Sequence, residues 1–353
     1  MSLEDLGFDR WFQDQWTSRR TEETVPARVT AVDRDHWTVC DADGEVPADI
    51  AGRLRYTADD SLSYPCVGDW VLVQLANQRQ LAIIHDLLPR KSLLRRKTPF
   101  RTIDYQPIAA NVDVAFLVQS CDANFNLRRL ERYLVMVLEA GIEPVILLTK
   151  SDLKPGGEVQ GLVDGVREAN IQAEVQVLSS RTGEGIEGFR RSLTARRTYC
   201  LLGSSGVGKS TLVNLLLGIE AFATAPVRAY DGKGRHTTAR RQLAILEGGA
   251  LLIDTPGMRE LGAMGVGEGI EAGFADLTGL AGQCRFNDCS HRQEAGCAVR
   301  AAVERGEIDA GRYESFLKLS RESDYLEATY AERRRRDRAF GRHIRRVLKD
   351  HKK

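Results

Sequence analysis

No stretch of this 353-residue chain approaches the roughly 18 consecutive apolar residues that a membrane-spanning helix needs. An integral membrane protein is therefore not expected. The N-terminus, Met1-Ser2-Leu3-Glu4-Asp5, is acidic and has no apolar signal segment, which points to a cytoplasmic rather than a secreted protein. Strong net charge is missing as well: the total is +1. Paired cysteines are not in evidence, because seven is an odd number and a cytosolic chain does not keep a disulfide framework. Four of them (Cys40, Cys66, Cys121, Cys200) are scattered and read as core residues, whereas Cys284, Cys289 and Cys297 are crowded into fourteen positions.

What is present is ordinary globular composition, 42% hydrophobic and 28% charged, with length for two or three domains. The charge is unevenly spread. Residues 331–353 carry eleven Lys/Arg against Glu332, Asp337 and Asp350, a local +8 that leaves −7 for the rest. Such a tail points to RNA or another polyanion, with a solvated terminal helix as the plainer alternative.

Short apolar or alternating runs (Val25 to Val32, Trp37 to Cys40, Val46 to Ile50, Trp70 to Leu75, Leu81 to Leu88) are separated by turn signals such as Asp41-Ala42-Asp43-Gly44 and Val67-Gly68-Asp69. Five strands in so short a span predict a small barrel. An OB-fold, whose usual work is binding oligonucleotides, and an SH3-like barrel both fit. Ahead of it, Leu6, Phe8, Trp11, Phe12 and Trp16 form a segment suited to docking on a neighbour or partner. A stretch rich in Arg and Lys (Arg90, Lys91, Arg95, Arg96, Lys97, Arg101) reads as a linker.

Beyond the linker, strand-like runs at Val112 to Val118, Val145 to Leu148, Val175 to Leu178, Tyr199 to Leu202 and Leu251 to Ile253 alternate with helical stretches around Arg128 to Ala140, Gly161 to Ala169 and Lys209 to Leu217. This pattern predicts a doubly wound α/β domain. Within it, Gly203-Ser204-Ser205-Gly206-Val207-Gly208-Lys209-Ser210-Thr211 fits a phosphate-binding loop, entered from an apolar strand and left by a helix. Its glycines let backbone N–H groups turn towards phosphates at a helix N-terminus, where the dipole also favours anions. Lys209 is expected to reach the β- and γ-phosphates and Ser210 to ligate Mg²⁺.

Asp254-Thr255-Pro256-Gly257 fits the D-x-x-G element, with Asp254 facing a Mg²⁺-bound water and the Gly257 N–H meeting the γ-phosphate. Thr149-Lys150-Ser151-Asp152 fits the element that selects guanine, because the Asp152 carboxylate can accept from the guanine N1–H and 2-amino group that adenine lacks. Thr149 stands where asparagine is usual. Ser179-Ser180 fits the loop that closes over the base. The switch segment is Asp231-Gly232-Lys233-Gly234-Arg235-His236-Thr237-Thr238, in which either Thr237 or Thr238 can sense Mg²⁺. A further absence follows D-x-x-G: Met258 occupies the place of the glutamine that orients water in many GTPases, so intrinsic hydrolysis should be slow. His236 is the nearest candidate catalytic replacement, with a plain surface histidine as the alternative.

Cys284-x₄-Cys289-x-His291-x₅-Cys297 offers three thiolates and an imidazole, a closed tetrahedral set suited to one structural Zn²⁺. The run Ile308 to Leu326 that follows has helical spacing.

The order of these elements is reversed relative to an ordinary P-loop GTPase, since the base-reading motif precedes the phosphate loop by some fifty residues. Together with the barrel, Ser179-Ser180, the Gly234-Arg235-His236-Thr237-Thr238 run and the Cys/His cluster, this order resembles the bacterial RsgA (YjeQ) family of circularly permuted GTPases. The resemblance implies an OB-fold that contacts 16S rRNA, GTP hydrolysis stimulated by the small (30S) ribosomal subunit whose maturation it assists, and a zinc-binding C-terminal domain that docks there too. Partners are then GTP/GDP, the subunit and its rRNA, with no membrane and a monomeric chain. The implied division is an N-terminal extension (1–22), an OB-fold domain (23–92), a permuted GTPase domain (93–275) and a mainly helical zinc-binding domain with its basic tail (276–353). An alternative keeps the zinc-stabilised RNA binding but assigns it to another RNA, with a mainly regulatory nucleotide site.

Overall fold

The computed structural model describes residues 1–21, 23–33, 36–57, 60–97, 105–218, 241–254 and 267–324. The N-terminal aromatic segment winds into α1 (Arg10–Thr17), capped by the Asp9 carboxylate, which accepts from the Trp11 and Phe12 N–H groups at 3.1 and 3.3 Å. Its buried face, Leu6, Phe8 and Phe12, packs on Trp70, Leu72 and Leu88 of the chain's own barrel, with the Phe8 and Trp70 rings 4.7 Å apart edge to face.

That barrel is built from β1 (Val25–Asp33), β2 (His36–Asp41), β3 (Gly44–Ile50), β4 (Trp70–Ala76) and β5 (Leu81–Leu87), with α2 (Gly52–Thr57) between β3 and β4. The strands run β1-β2-β3-β5-β4 and β4 returns to β1, so the barrel closes; β3 and β5 are parallel and the other pairs antiparallel. Small and β-branched residues, among them Ala27, Val29, Val39, Val46, Val71, Val73 and Ile84, fill the interior. This topology answers the choice left open by the sequence in favour of the OB-fold.

The basic stretch expected as a linker is instead half of a hairpin, β6 (Leu93–Lys97) against β7 (Tyr105–Ala110). Leu94 is fully buried and the Arg95 guanidinium lies 5.1 Å from the Tyr105 ring, so alternate residues of β6 face core and surface. Arg90 is structural: its Nε and Nη2 each donate at 2.7 Å to the fully buried Asp69 carboxylate.

The α/β part follows as β8 (Val114–Ser120), α3 (Leu127–Glu139), β9 (Glu143–Thr149), α4 (Gly156–Glu168), β10 (Glu174–Val177), α5 (Ile186–Ser192), β11 (Thr198–Leu202), α6 (Lys209–Leu217), β12 (Arg241–Ile245) and β13 (Leu251–Asp254). Its strand order is β10-β9-β8-β11-β13-β12, parallel throughout except for β12. β12 also pairs with β1 (Ala31↔Gln242, Val32↔Arg241), so barrel and α/β sheet form one hydrogen-bonded sheet. Arg28 fastens the same junction. Buried completely, it donates to the carbonyls of Leu6, Gly68 (3.3 Å) and Asn111 (3.2 Å) and to Thr198 Oγ1 (2.9 Å). Burial lowers its pKa to about 10, which leaves it protonated at neutral pH.

Three short helices, α7 (Gly267–Gly273), α8 (Ala275–Ala281) and α9 (Ala298–Glu304), and a helical stretch over 310–324 complete the described chain. They pack on α3. A Cβ at Gly269 would stand 2.1 Å from the Val135 carbonyl, so only glycine lets α7 come this close. The buried Arg312 reaches Glu131 of α3 at 3.3 Å and Asp276 at 2.8 Å, with its guanidinium over the Phe274 ring at 4.6 Å. Phe274, Leu277, Val299, Phe316 and Leu319 thereby join the core that runs under α3. No helix among the described residues is long and apolar enough to cross a membrane.

Candidate functional site

Because β8, β9, β10, β11 and β13 are parallel, their C-terminal ends gather at one edge of the sheet, where ligands bind in doubly wound folds. Thr149 ends β9, Ser179 follows β10, Gly203 follows β11 and Asp254 ends β13, so motifs remote in sequence converge there. Gly257, Met258, His236, Thr237 and Thr238 lie outside the described residues, as does the basic tail.

The loop between β11 and α6 needs its three glycines for two separate reasons. A Cβ on Gly203 would meet the Val118 carbonyl at 2.4 Å, and Gly206 and Gly208 have φ of +79° and +100°. Gly208 caps α6, whose first residue is Lys209, and Ser210 and Thr211 are exposed at its N-terminus. Lys209 Nζ donates to the carbonyls of Gly203 (2.7 Å) and Ser204 (2.6 Å), which brings the cation back over the loop that would hold phosphates. Val207 is fully buried and anchors the turn.

The Thr149–Asp152 element is bound to this loop directly. Thr149 Oγ1 donates towards the Val207 carbonyl at 2.5 Å and lies 3.2 Å from that of Gln119. Lys150, in the left-handed region at φ +56°, sends its ammonium to Asp122 at 3.0 Å. Ser151 Oγ donates to Glu184 at 2.6 Å, and its N–H to the Leu178 carbonyl at 3.2 Å. Asp152 Oδ1 accepts from Ser179 Oγ at 2.5 Å and Oδ2 pairs with Arg181 Nε at 2.9 Å. The Ser179 hydrogen bond, and after it the Arg181 charge, hold the Asp152 carboxyl below the usual carboxylate range, so it is an acceptor at neutral pH. Ser180 is half-buried beside the fully buried Ser179.

Sequence motifs alone missed Gln119, Asp122, Asn124, Arg181 and Glu184. The signal available was Asp122-x-Asn124-x-Asn126 straight after a strand, a spacing suited to side-chain-to-backbone bonds: Asp122 Oδ1 accepts from the Asn124 N–H at 2.9 Å, and Asn126 caps α3 by accepting from the Arg129 N–H at 2.9 Å.

Cys284, Cys289, His291 and Cys297 come together with their ligand atoms all within 4.8 Å of one another. His291 Nδ1 lies 3.5 Å from both the Cys284 and Cys297 sulfurs, which are 3.9 Å apart. Metal bonds of about 2.3 Å to sulfur and 2.0 Å to nitrogen at tetrahedral angles would separate such atoms by roughly 3.5–3.8 Å, so the cluster fits an ion. Burial pushes the Cys284 thiol up, but N–H groups of Ala298 and Val299 and the neighbouring thiols hold it below the ordinary value, whereas burial pushes Cys289 up to about 11, so Cys284 deprotonates more readily than Cys289. The Tyr313 hydroxyl donates to the His291 carbonyl and the Cys297 sulfur accepts from the Arg300 N–H at 3.4 Å, tying the cluster to the helix over 310–324 and to α9.

A family model described as RsgA GTPase matches residues 87–264. The small ribosomal subunit biogenesis GTPase RsgA of Opitutus terrae is 42% identical over 334 residues, 92% of this chain and 90% of that protein. The crystal structure of YjeQ from Thermotoga maritima superposes with a TM-score of 0.62 at 26% identity, covering 85% of this chain and 98% of the other. The crystal structure of YloQ, a circularly permuted GTPase, gives a TM-score of 0.61 at 24% identity, covering 87% and 98%, and shares the fold. In this chain β9, which ends at Thr149, precedes β11, which leads into the Gly203–Thr211 loop, and both belong to one sheet. This chain is a circularly permuted GTPase and belongs to the RsgA GTPase family.

Proposed function

We propose that this GTPase binds the small (30S) ribosomal subunit through 16S rRNA, assists its late maturation in the cytoplasm as a monomer, and leaves after hydrolysing GTP. The observation that carries the proposal is the similarity, over 92% of the chain, to a protein named for small ribosomal subunit biogenesis. The OB-fold barrel and the basic tail supply the chemistry for RNA contact. In the same reading residues 1–22 are an extension, 23–92 the RNA-binding barrel, 93–275 the GTPase unit and 276–353 the zinc-binding unit.

At the nucleotide site, the backbone from Gly203 to Thr211 cradles the phosphates, Lys209 reaches the β- and γ-phosphates, Ser210 with Thr237 or Thr238 holds Mg²⁺, and Asp254 and Gly257 respond to the γ-phosphate. Thr149 to Asp152 and Ser179-Ser180 surround the base. His236 stands in for the glutamine absent at Met258, placed by contact with RNA. The Cys₃His set holds a single Zn²⁺, which supplies structural cross-linking and no open catalytic position.

Two outcomes test these assignments. GTP turnover is expected to rise steeply when purified small subunits are added; equal rates with and without them would sink the subunit reading, and co-sedimentation with another RNA would favour that RNA instead. Asp152→Asn is expected to weaken GTP binding by roughly 10- to 100-fold, since charge-assisted bonds of about 1.5–3 kcal/mol are lost, while weak ATP binding barely changes. Because the Asp152 pKa is depressed, its contribution is complete above about pH 4 and fades only as pH falls through the lowered value. Wild-type GTP affinity should therefore show no Asp152-linked loss between about pH 8 and pH 5, and a loss centred near neutrality would contradict the assignment.

A further inference from the structure

The amide that an asparagine at position 149 would bring is replaced by a hydroxyl with a single proton, and two carbonyls compete for it: Val207 at 2.5 Å and Gln119 at 3.2 Å. Thr149 can therefore hold the second half of the phosphate loop, at Val207, but has nothing left for the first half. An amide does reach that half from another direction. Asn124, in the connection between β8 and α3, points its Nδ2 group at Ser204 Oγ (3.2 Å) and at the Ser205 carbonyl (3.5 Å). We propose that Asn124 is a positioning residue of the nucleotide site, holding Ser204 and Ser205 as Thr149 holds Val207 and supplying from β8–α3 the amide that Thr149 lacks. The proposal rests on reading Thr149 to Asp152 as the base-reading element.

Asn124 is itself held on both sides of its backbone. Its N–H donates to Asp122 Oδ1 at 2.9 Å, and its carbonyl accepts from Arg129 Nη2. Asp122 in turn accepts from Ser120 Oγ at 2.7 Å and pairs with Lys150 at 3.0 Å. The segment from Ser120 to Asn124 is thus a bracket with Lys150 of the base-reading element at one end and Ser204 of the phosphate loop at the other. What it fixes matters for the phosphates, because Lys209 Nζ is bonded to the Ser204 carbonyl at 2.6 Å. A loop free to shift at Ser204 carries Lys209 with it. The tether acts before phosphate arrives, so its loss adds an ordering cost to ground state and transition state alike, which appears in KM rather than kcat.

The test compares Asn124→Ala, Asn124→Asp and the pair Asn124→Ala/Thr149→Asn in the full chain, by basal GTP turnover, GTP and ATP binding, and thermal unfolding. Asn124→Ala is expected to raise KM for GTP about tenfold, the worth of one or two hydrogen bonds, with kcat within about twofold and an unchanged unfolding midpoint. Asn124→Asp should be worse than alanine, since it adds a carboxylate beside the phosphates, and Thr149→Asn should recover part of the affinity lost in Asn124→Ala. A guanine-selective wild type with unaltered KM in Asn124→Ala overturns the tether, as does a loss that comes with a lowered unfolding midpoint. A wild-type chain indifferent between GTP and ATP overturns the base-reading assignment on which the tether rests.

Discussion

Lys209→Ala is expected to slow GTP turnover by about 10²- to 10³-fold, the usual consequence of removing a preorganised cation from a charge that grows in the transition state. The ammonium needs no search for its place. It is already drawn back across the loop by the carbonyls of Gly203 and Ser204 at 2.7 and 2.6 Å, and it is the first residue of α6, so helix and loop together restrict it. Lys209→Arg should rescue little, because a planar fork does not fit where a compact charge meets two phosphates. The measurement is single-turnover hydrolysis with GTP bound in excess of its Kd, alongside the unfolding midpoint. Turnover within fivefold of wild type would remove Lys209 from the catalytic assignment.

The second large effect is expected from the metal. A structural zinc site contributes on the order of 10–16 kcal/mol at neutral pH, comparable to the roughly 5–15 kcal/mol by which a whole domain is stable. Removing the ion with a strong chelator should unfold α9 and the loop from Cys284 to Cys297, exposing three thiols to a titrating reagent. The damage should spread, since Phe274, Phe316 and Leu319 lie in the same core as the α3 residues Leu134 and Val135. The unfolding midpoint of the whole chain should therefore fall. Cys297→Ser should be the harshest single change of the four ligands, because Cys297 is the one buried residue among them and its sulfur also accepts from the Arg300 N–H to start α9. Elemental analysis should find one zinc per chain. Chelation that leaves both thiol reactivity and the unfolding midpoint untouched would show that the cluster holds no structural ion.

The sequence was readable where one physical demand acts on neighbouring residues. All five barrel strands and all five parallel strands of the α/β sheet stood out as apolar runs bounded by turn residues, because a strand buried on one or both faces must be apolar at fixed intervals. The Gly203–Thr211 loop, the Thr149–Asp152 element and the Cys/His cluster stood out equally as residue types at particular spacings, and the fold places the first two at one edge of the sheet and gathers the third into one cluster. The hairpin of β6 and β7 was missed because Arg95, Arg96 and Lys97 dominate the composition of β6, although its Leu94 is buried with Tyr105 and Ile108 of β7. The helices α7, α8 and α9 have seven residues each, too few to hold together without packing on their neighbours, so no local pattern announces them. Asp122 and Asn124 belong to no motif. Their work depends on β8 lying between β9 and β11, which only the assembled sheet reveals.

The pairing of β1 with β12 joins residues far apart in the chain: Ala31 meets Gln242, 211 positions later, while inside the α/β sheet Val114 meets Tyr199, 85 positions later. Closing a loop becomes more costly only logarithmically with its length, by about 0.6 kcal/mol for each doubling, so contacts this remote subtract little from equilibrium stability. Their weight falls on time. The strand that carries the phosphate loop must be inserted between β8, made well before it, and β13, made well after it, and the barrel cannot be sealed against the sheet until residue 242 is in hand. The permuted order thus places its cost in the search by which the chain reaches its fold, where high contact order slows folding.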